Sequence, residues 1–381
     1  MIVLSEKDPS YRRCSISVMD NIADPDISFD EKGICNYYYE YLQKEKEQVF
    51  TGEEGERKLK ELADKIKEAG KGKKYDCITG VSGGVDSTYL TLTAKKLGLN
   101  PLIVHFDNGW NSEMAVKNIE NIISKLGFDL YTLVVDWNEF KDVQLSYIKA
   151  SVVDIEAITD HAIIATMYKL ALENNIKYVL SGTNIVTEAT LPKYWIYNKT
   201  DHVNLLDIHK KYGQVPLKTF PLFDFKLKKR VQVSKIEGVA PLNYLPYNKA
   251  AVKETITREL DWRDYGGKHY ESIFTRFYQG YILPNKFHID KRKAHLSNLI
   301  FSRQITLEEA IKEMEKPVYD PEQLSIDKEF VLKKFGLTES KFDQIMKEPR
   351  REHTDFKTEK SIWDTYSLLR PFKGLRKSMG R

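Results

Sequence analysis

Residues 77–87 limit how this chain can fold more than any other stretch. A short apolar run, Cys77-Ile78-Thr79, reaches a bend at Gly83-Gly84, and a helical pattern starts at Val85. The bend reads Ser82-Gly83-Gly84-Val85-Asp86-Ser87, or SGGVDS. A strand that turns directly into a helix suits a parallel sheet, where crossover helices join neighbouring strands. The first turn of a helix offers N–H groups without helical partners, and its dipole favours negative charge. Two glycines let that backbone come close to an anion. With the hydroxyls of Ser82 and Ser87 added, the stretch reads as a phosphate cradle. Asp86 would repel phosphate unless it holds Mg²⁺, which binds through one or two carboxylates plus phosphate oxygens.

The alternation continues to about Asn184. Strands are expected over 77–81, 102–106, 130–135 and 178–180, and helices over 85–97, 113–126, 140–148 and 157–174. Strands rich in Val, Ile and Leu between helices predict a parallel sheet covered on both faces. Such sheets bind ligands beyond the carboxyl ends of their strands. Three of these ends carry small or polar residues: 82–84, 107–109 and 181–184. Before the sheet, residues up to about Glu40 read as irregular, and 54–69 as a helix ended by Gly70. Residues 193–221 lack a clean period, and the run Lys226–Arg230 reads as a solvated helix face. Helical patterns return at 252–262, 272–281, 290–301, 307–314, 328–335 and 339–347. The expected architecture is an α/β parallel-sheet domain over 75–250. A segment and helix over 1–74 precede it, and a mostly helical region with a basic tail follows over 251–381.

Composition removes several classes of function. Charged residues make up 30% of the chain and aromatics 12%, which excludes general disorder. The net charge is +4, yet Arg370, Lys373, Arg376, Lys377 and Arg381 form a tail without acids. The body before that tail is therefore slightly negative, which gives little hold on a nucleic-acid backbone. No signal peptide and no membrane span are expected. The three cysteines supply no disulfide framework, which fits a reducing cytoplasm. Cys14–Ser17 and Cys35–Tyr38 resemble two metal knuckles, each with its second cysteine replaced. Two cysteines cannot furnish the four ligands of a structural zinc site, so zinc is not expected.

The loop lacks the spacing and the lysine of a Walker A sequence. A shorter loop of this kind fits attack at the α-phosphate of ATP, with pyrophosphate leaving. SGGVDS resembles the signature loop of the ATP pyrophosphatases, which include GMP synthetase, NAD synthetase, asparagine synthetase and tRNA thiolation enzymes. Segments 24–35, 104–110, 181–188, 268–280 and 287–297 resemble the N-acetyl sugar amidotransferases of surface-polysaccharide (LPS) biosynthesis. That resemblance implies conversion of a sugar acetamido group to an acetamidino group, with ATP and Mg²⁺ activating the amide oxygen. It also implies ammonia from a separate glutaminase and an ammonia-channelling cyclase-like subunit, similar to those of imidazole glycerol phosphate synthase. The substrate would be a nucleotide-linked sugar. No cysteine sits in a glutaminase-like elbow, in keeping with borrowed ammonia.

The residues expected at the nucleotide are Ser82, Gly83, Gly84, Val85, Asp86, Ser87, Asp107, Gly182 and Asn184, with Asp86 also on the metal. Asp107 either meets the nucleotide or caps its own loop. Gly182, Thr183 and Asn184 either close over the nucleotide or cap the next helix. Glu188 is read as orienting ammonia or a metal-bound water, with a surface carboxylate as the alternative. Asp290, Lys291, Arg292, Lys293 and His295 form a basic group. Lys291 is the candidate for stabilising phosphoryl or diphosphate charge, against a solvated charged face. Two other functions fit less of the sequence. A tRNA-thiolating enzyme needs paired reactive cysteines near the loop, and a non-catalytic nucleotide-binding module leaves Asp86 without a purpose.

Overall fold

The computed structural model describes residues 7–267 and 270–361. The basic tail and Lys268-His269 lie outside the described residues. Strand β1 (Cys77–Gly80) is central, and β2 (Pro101–Asp107) and β3 (Leu130–Val134) extend the sheet on one side. On the other side lie β4 (Tyr178–Leu180) and β5 (Glu237–Val239), and every pairing is parallel. The order β3-β2-β1-β4-β5 places the reversal of winding between β1 and β4. The carboxyl ends of those two strands therefore border the crevice where such sheets take ligands.

Side chains alternate across the sheet as the pleat requires. Cys77 and Ile103 enter one core, and Ile78, Leu102 and Val104 enter the other. Helices α1 (Asn36–Gln48) and α2 (Gly52–Gly70) precede the sheet, and α2 contributes Ala63 and Ile66 to the first core. The same core takes in α3 (Val85–Lys96) and α4 (Glu113–Leu126). Connections β3 to β4 run through α5 (Trp137–Ala150) and α6 (Ala157–Glu173), and α6 covers the second face. Further on come α7 (Ile185–Glu188), α8 (His202–Tyr212), α9 (Phe225–Val233) and α10 (Lys249–Leu260).

The C-terminal region contains α11 (Ile273–Phe277), a π-helix over Tyr278–Phe287, and α12 (Arg292–Phe301). It ends with α13 (Leu307–Glu315), α14 (Pro321–Phe335) and α15 (Glu339–Lys347). A third and larger core joins this region to the N-terminal segment, with members from Cys14 to Phe356. Trp195 Nε1 donates to Ala23 O at 2.7 Å, and Lys293 pairs with buried Asp20. The N-terminal segment is thus docked on both later parts of the chain.

Several local expectations shift. Helix α1 begins at Asn36, inside the stretch read as irregular, and buries Tyr37 and Tyr41. Helix α3 is buried on most of its surface, including Thr88, Thr91 and Thr93, because α10 covers the side opposite the sheet. Lys228 of the charge run is buried against Glu359. The helix expected over 272–281 becomes α11 and then the π-helix, which contains Pro284. A proline has no N–H for the helical ladder, and a widened turn accommodates the gap.

Helix α14 is fastened to α11 by a buried ion pair. Arg276 Nε and Nη2 donate to the two oxygens of Asp327 at 2.6 and 2.9 Å. Gln323 Nε2 adds a bond at 2.9 Å and Tyr319 donates through its hydroxyl. Replacing one member strands the other charge in the interior. Asp327→Ala is expected to lower unfolding stability by about 3 kcal/mol in denaturant titration.

Candidate functional site: the strand-end crevice

The loop after β1 is held from behind. Gly83 has φ of +78°, and a Cβ there would lie 2.8 Å from the carbonyl oxygen of Ala115 in the first turn of α4. The Gly83 carbonyl accepts Trp262 Nε1 at 2.8 Å. Asn118 of α4 exchanges bonds of 2.9 Å with the backbone of Arg263, fixing the same segment. Gly84 caps α3 without a side chain, so N–H groups of the first turn face outward from the bend. Ser82 is exposed, and its Oγ lies 3.2 Å from both Gly84 N and Ser87 Oγ. The two hydroxyls flank the mouth of the loop.

Asp86 sits at the edge of that mouth. The hydroxyl of Tyr247 donates to its Oδ1, and Asn184 Nδ2 approaches the same oxygen at 3.4 Å. Burial, and then the charge of Asp86, push the Tyr247 phenol far up, so it remains a donor. Glu188 ends α7, one turn after Asn184, and its charge adds to that of Asp86 at the same phenol. Asn184 is also the cap of α7, accepting Thr187 N at 3.0 Å. A Cβ on Gly182 would lie 3.2 Å from the Asp86 carbonyl carbon, so the loop after β4 rests on the start of α3. Gly182, Asn184, Glu188 and Asp86 are therefore brought together across the β1–β4 crevice.

Asp107 turns towards its own loop. Its Oδ1 accepts Gly109 N at 2.9 Å and Asn111 Nδ2 at 3.3 Å. His105 bridges the ends of β1 and β2. Its Nδ1 donates to Val81 O at 3.1 Å and its Nε2 accepts from Asn111 at 3.2 Å, the tautomer being assigned from those partners.

The basic group at 290–295 is dispersed. Arg292 pairs with Asp290 at 2.7 Å and reaches carbonyls at the end of α13. Lys293 goes to Asp20, and His295 Nε2 accepts from Lys249 at 3.0 Å. Lys291 points elsewhere, with its Nζ 5.9 Å from the centre of the Tyr278 ring.

Three residues at the loop carried no sequence signal of their own. Tyr247 lies 161 positions from its carboxylate partner. Tyr265 and Glu271 reach the loop from the segment after α10: the Tyr265 hydroxyl and Glu271 Oε1 lie 3.3 and 3.7 Å from where a Gly84 Cβ would stand. In the sequence, Glu271 stands out only as a member of the 268–280 segment.

Among the described residues, no group of three or more His, Cys, Asp or Glu is placed to hold a metal. Cys35 N lies 3.3 Å from Cys14 Sγ, and Ser17 Oγ 4.0 Å from Cys35 Sγ, so the two half-knuckles do converge. Their donor set of two sulfurs and a hydroxyl does not fit structural zinc. Asp86, at the mouth of the loop, is the donor type that Mg²⁺ takes, a hard cation binding few protein carboxylates and completing its shell with phosphate oxygens and water. No helix among the described residues is long and apolar enough to cross a membrane.

Fold and site together define an α/β protein with a glycine-bend loop at its switch point, extended by a helical region that reaches back to that loop. Residues 271–370 match the family model described as LPS biosynthesis protein WbpG-like, C-terminal domain. The surface-polysaccharide family resemblance read from the sequence therefore stands over that region. No curated protein sequence matches the chain. Among solved structures, an NH3-dependent NAD synthetase from Campylobacter jejuni is 13% identical, with 74% of this chain and 96% of that one covered and a TM-score of 0.29. An NMN synthetase from Francisella tularensis is 12% identical, with 59% and 92% covered and a TM-score of 0.29. A U34-tRNA thiolase from Methanococcus maripaludis is 11% identical, with 68% and 80% covered and a TM-score of 0.33. At these scores the likeness is too loose to carry a function across.

Proposed function

We propose that the protein is an ATP-dependent amidotransferase of LPS biosynthesis, converting an acetamido group of a nucleotide-linked sugar to an acetamidino group. The observation that carries this reading is the contact between two parts. An SGGVDS loop lies in the sheet crevice, and the LPS-type region begins at Glu271, whose carboxylate lies beside that loop. N–H groups at the start of α3, with Ser82 and Ser87, would bind the leaving pyrophosphate. Asp86 and Glu188 would hold Mg²⁺, which supplies neutralising charge on the phosphates. Tyr247 and Asn184 would orient Asp86.

An amide carbonyl is a poor electrophile and its oxygen a poor leaving group. Transfer of the adenylyl group to that oxygen lets ammonia add to the carbon and AMP depart with the oxygen. Exclusion of water favours ammonia over hydrolysis. Ammonia would come from a partner glutaminase and its channelling subunit, in the cytoplasm.

The test incubates the protein with Mg²⁺, ATP, ammonium chloride and a panel of UDP-acetamido sugars. AMP and pyrophosphate should form together with a product in which NH replaces O, seen by mass spectrometry. Pyrophosphate release only with tRNA, or with none of the sugars, would sink the reading.

A further inference from the structure

A second polar group lies at the same end of the sheet, where α6 begins. Asp154, Glu156 and Asp160 come from the loop before α6 and its first turn. Lys199 and Lys291 face them from two other parts of the chain. Asp154 is buried, and its Oδ2 accepts both Lys199 Nζ at 2.6 Å and Tyr197 N at 2.7 Å. Asp160 takes the other side of Lys199 at 3.2 Å. Tyr278 donates its hydroxyl to Val153 O at 2.6 Å, and His353, stacked on Tyr197, is held neutral by burial. That leaves two groups uncommitted. The Glu156 carboxylate accepts a single bond, from Thr275 Oγ1 at 2.8 Å, and the Lys291 ammonium donates no hydrogen bond among the described residues, lying 5.9 Å from the centre of the Tyr278 ring.

Thr275 links this group to the phosphate loop. It is capped by Ser272, whose neighbour Glu271 accepts Ser112 N at 2.8 Å through its carbonyl and reaches Gly84 with its side chain. The charges are also uneven: three carboxylates face two ammonium groups. With Glu156 ionised, one negative charge is in excess, and a single proton or monovalent cation cancels it. Burial is the main cause that pushes Glu156 up to about 7, with the charge of Asp160 adding to it against the Thr275 bond. Burial likewise lowers Lys291.

We propose that this group is the ammonium site of the reaction and that Glu156 is the general base that turns ammonium into ammonia. This rests on the reading above that ammonia is the nucleophile. Ammonium has no lone pair and cannot attack. In the step, one N–H bond of ammonium breaks, its electron pair stays on nitrogen, and the proton passes to the Glu156 carboxylate. The group is neutral before and after, so no charge is stranded in the interior.

The test has two arms, both on the full-length protein. Glu156→Gln keeps the shape and the Thr275 bond, so it should fold. With glutamate carbon-13 labelled, the carboxyl resonance missing from that variant should titrate near neutrality in the wild type. It should shift with ammonium chloride and not with equal tetramethylammonium chloride. In turnover, Glu156→Gln should lose about 100-fold with ammonium, the scale of general-base catalysis. Hydroxylamine, already neutral, should restore most of the rate. A carboxyl that titrates in the ordinary range and ignores ammonium overturns the proposal, as does equal impairment with both nucleophiles. Failure of the functional reading shows differently, as no pyrophosphate–ATP exchange by the wild type with any UDP-acetamido sugar. The resonance then still decides the ammonium site.

Discussion

Asp86→Ala is expected to reduce pyrophosphate release by about a thousandfold, the scale seen when one electrostatic element of a preorganised site is removed. The carboxylate is the group beside the loop suited to holding a divalent cation against phosphate oxygens, and its position is fixed from two other loops by Tyr247 and Asn184. Its loss has a second consequence. The Tyr247 hydroxyl is buried and would lose its acceptor, at a cost of about 1–3 kcal/mol. Asp86→Asn separates the two effects, because an amide oxygen still accepts from Tyr247 but carries no charge. It should melt near the wild-type temperature and remain as inactive as the alanine variant. Turnover by Asp86→Asn close to wild type would remove the metal role.

Gly83→Ala is expected to abolish nucleotide binding with little change elsewhere in the sheet. The backbone at Gly83 is left-handed, which costs other residues about 1–2 kcal/mol. The added methyl would also stand 2.8 Å from the Ala115 carbonyl oxygen. That oxygen cannot move aside easily, because it belongs to the first turn of α4, whose cap Ser112 is itself bonded to Glu271. The loop must therefore shift outward, into the space the phosphates would take. A ligand that binds only the folded state raises the melting temperature. Thermal melts with and without ATP–Mg²⁺ should show that rise in the wild type and none in Gly83→Ala. An equal rise in both would mean that the loop does not bind ATP.

The inner strands β1 and β2 were legible because they are buried and spell this in Val, Ile and Leu, whereas β3, equally apolar in sequence, is mostly exposed. The 178–180 strand and the 113–126 helix keep their expected bounds. Strand β5, Glu237-Gly238-Val239, gave no such pattern. It is an edge strand of three residues, one of them charged and one a glycine, and its neighbour β4 alone makes it a strand. In the site, the loop was legible because its chemistry is local: glycines, hydroxyls and a carboxylate within six positions. Tyr247 and Glu156 were not, because nothing near them in sequence shows what they face. The basic run at 290–295 was ambiguous for the same reason. Successive helical residues point about 100° apart, so neighbours in sequence left for different partners.

The large core that unites Cys14 with Phe356 has a bearing on how the chain is made. Synthesis delivers the amino end first, yet the partners of Asp20 and Ala23 are Lys293 and Trp195. The sheet and the helices on its faces can condense while translation continues, since their contacts lie within a shorter span. Residues 14–41 must instead wait, with Met19, Tyr37 and Tyr41 uncovered, until α12 has left the ribosome. A chain stopped before α12 would keep that apolar surface in water. For this protein, closure of that core waits on a residue 273 positions downstream of Asp20.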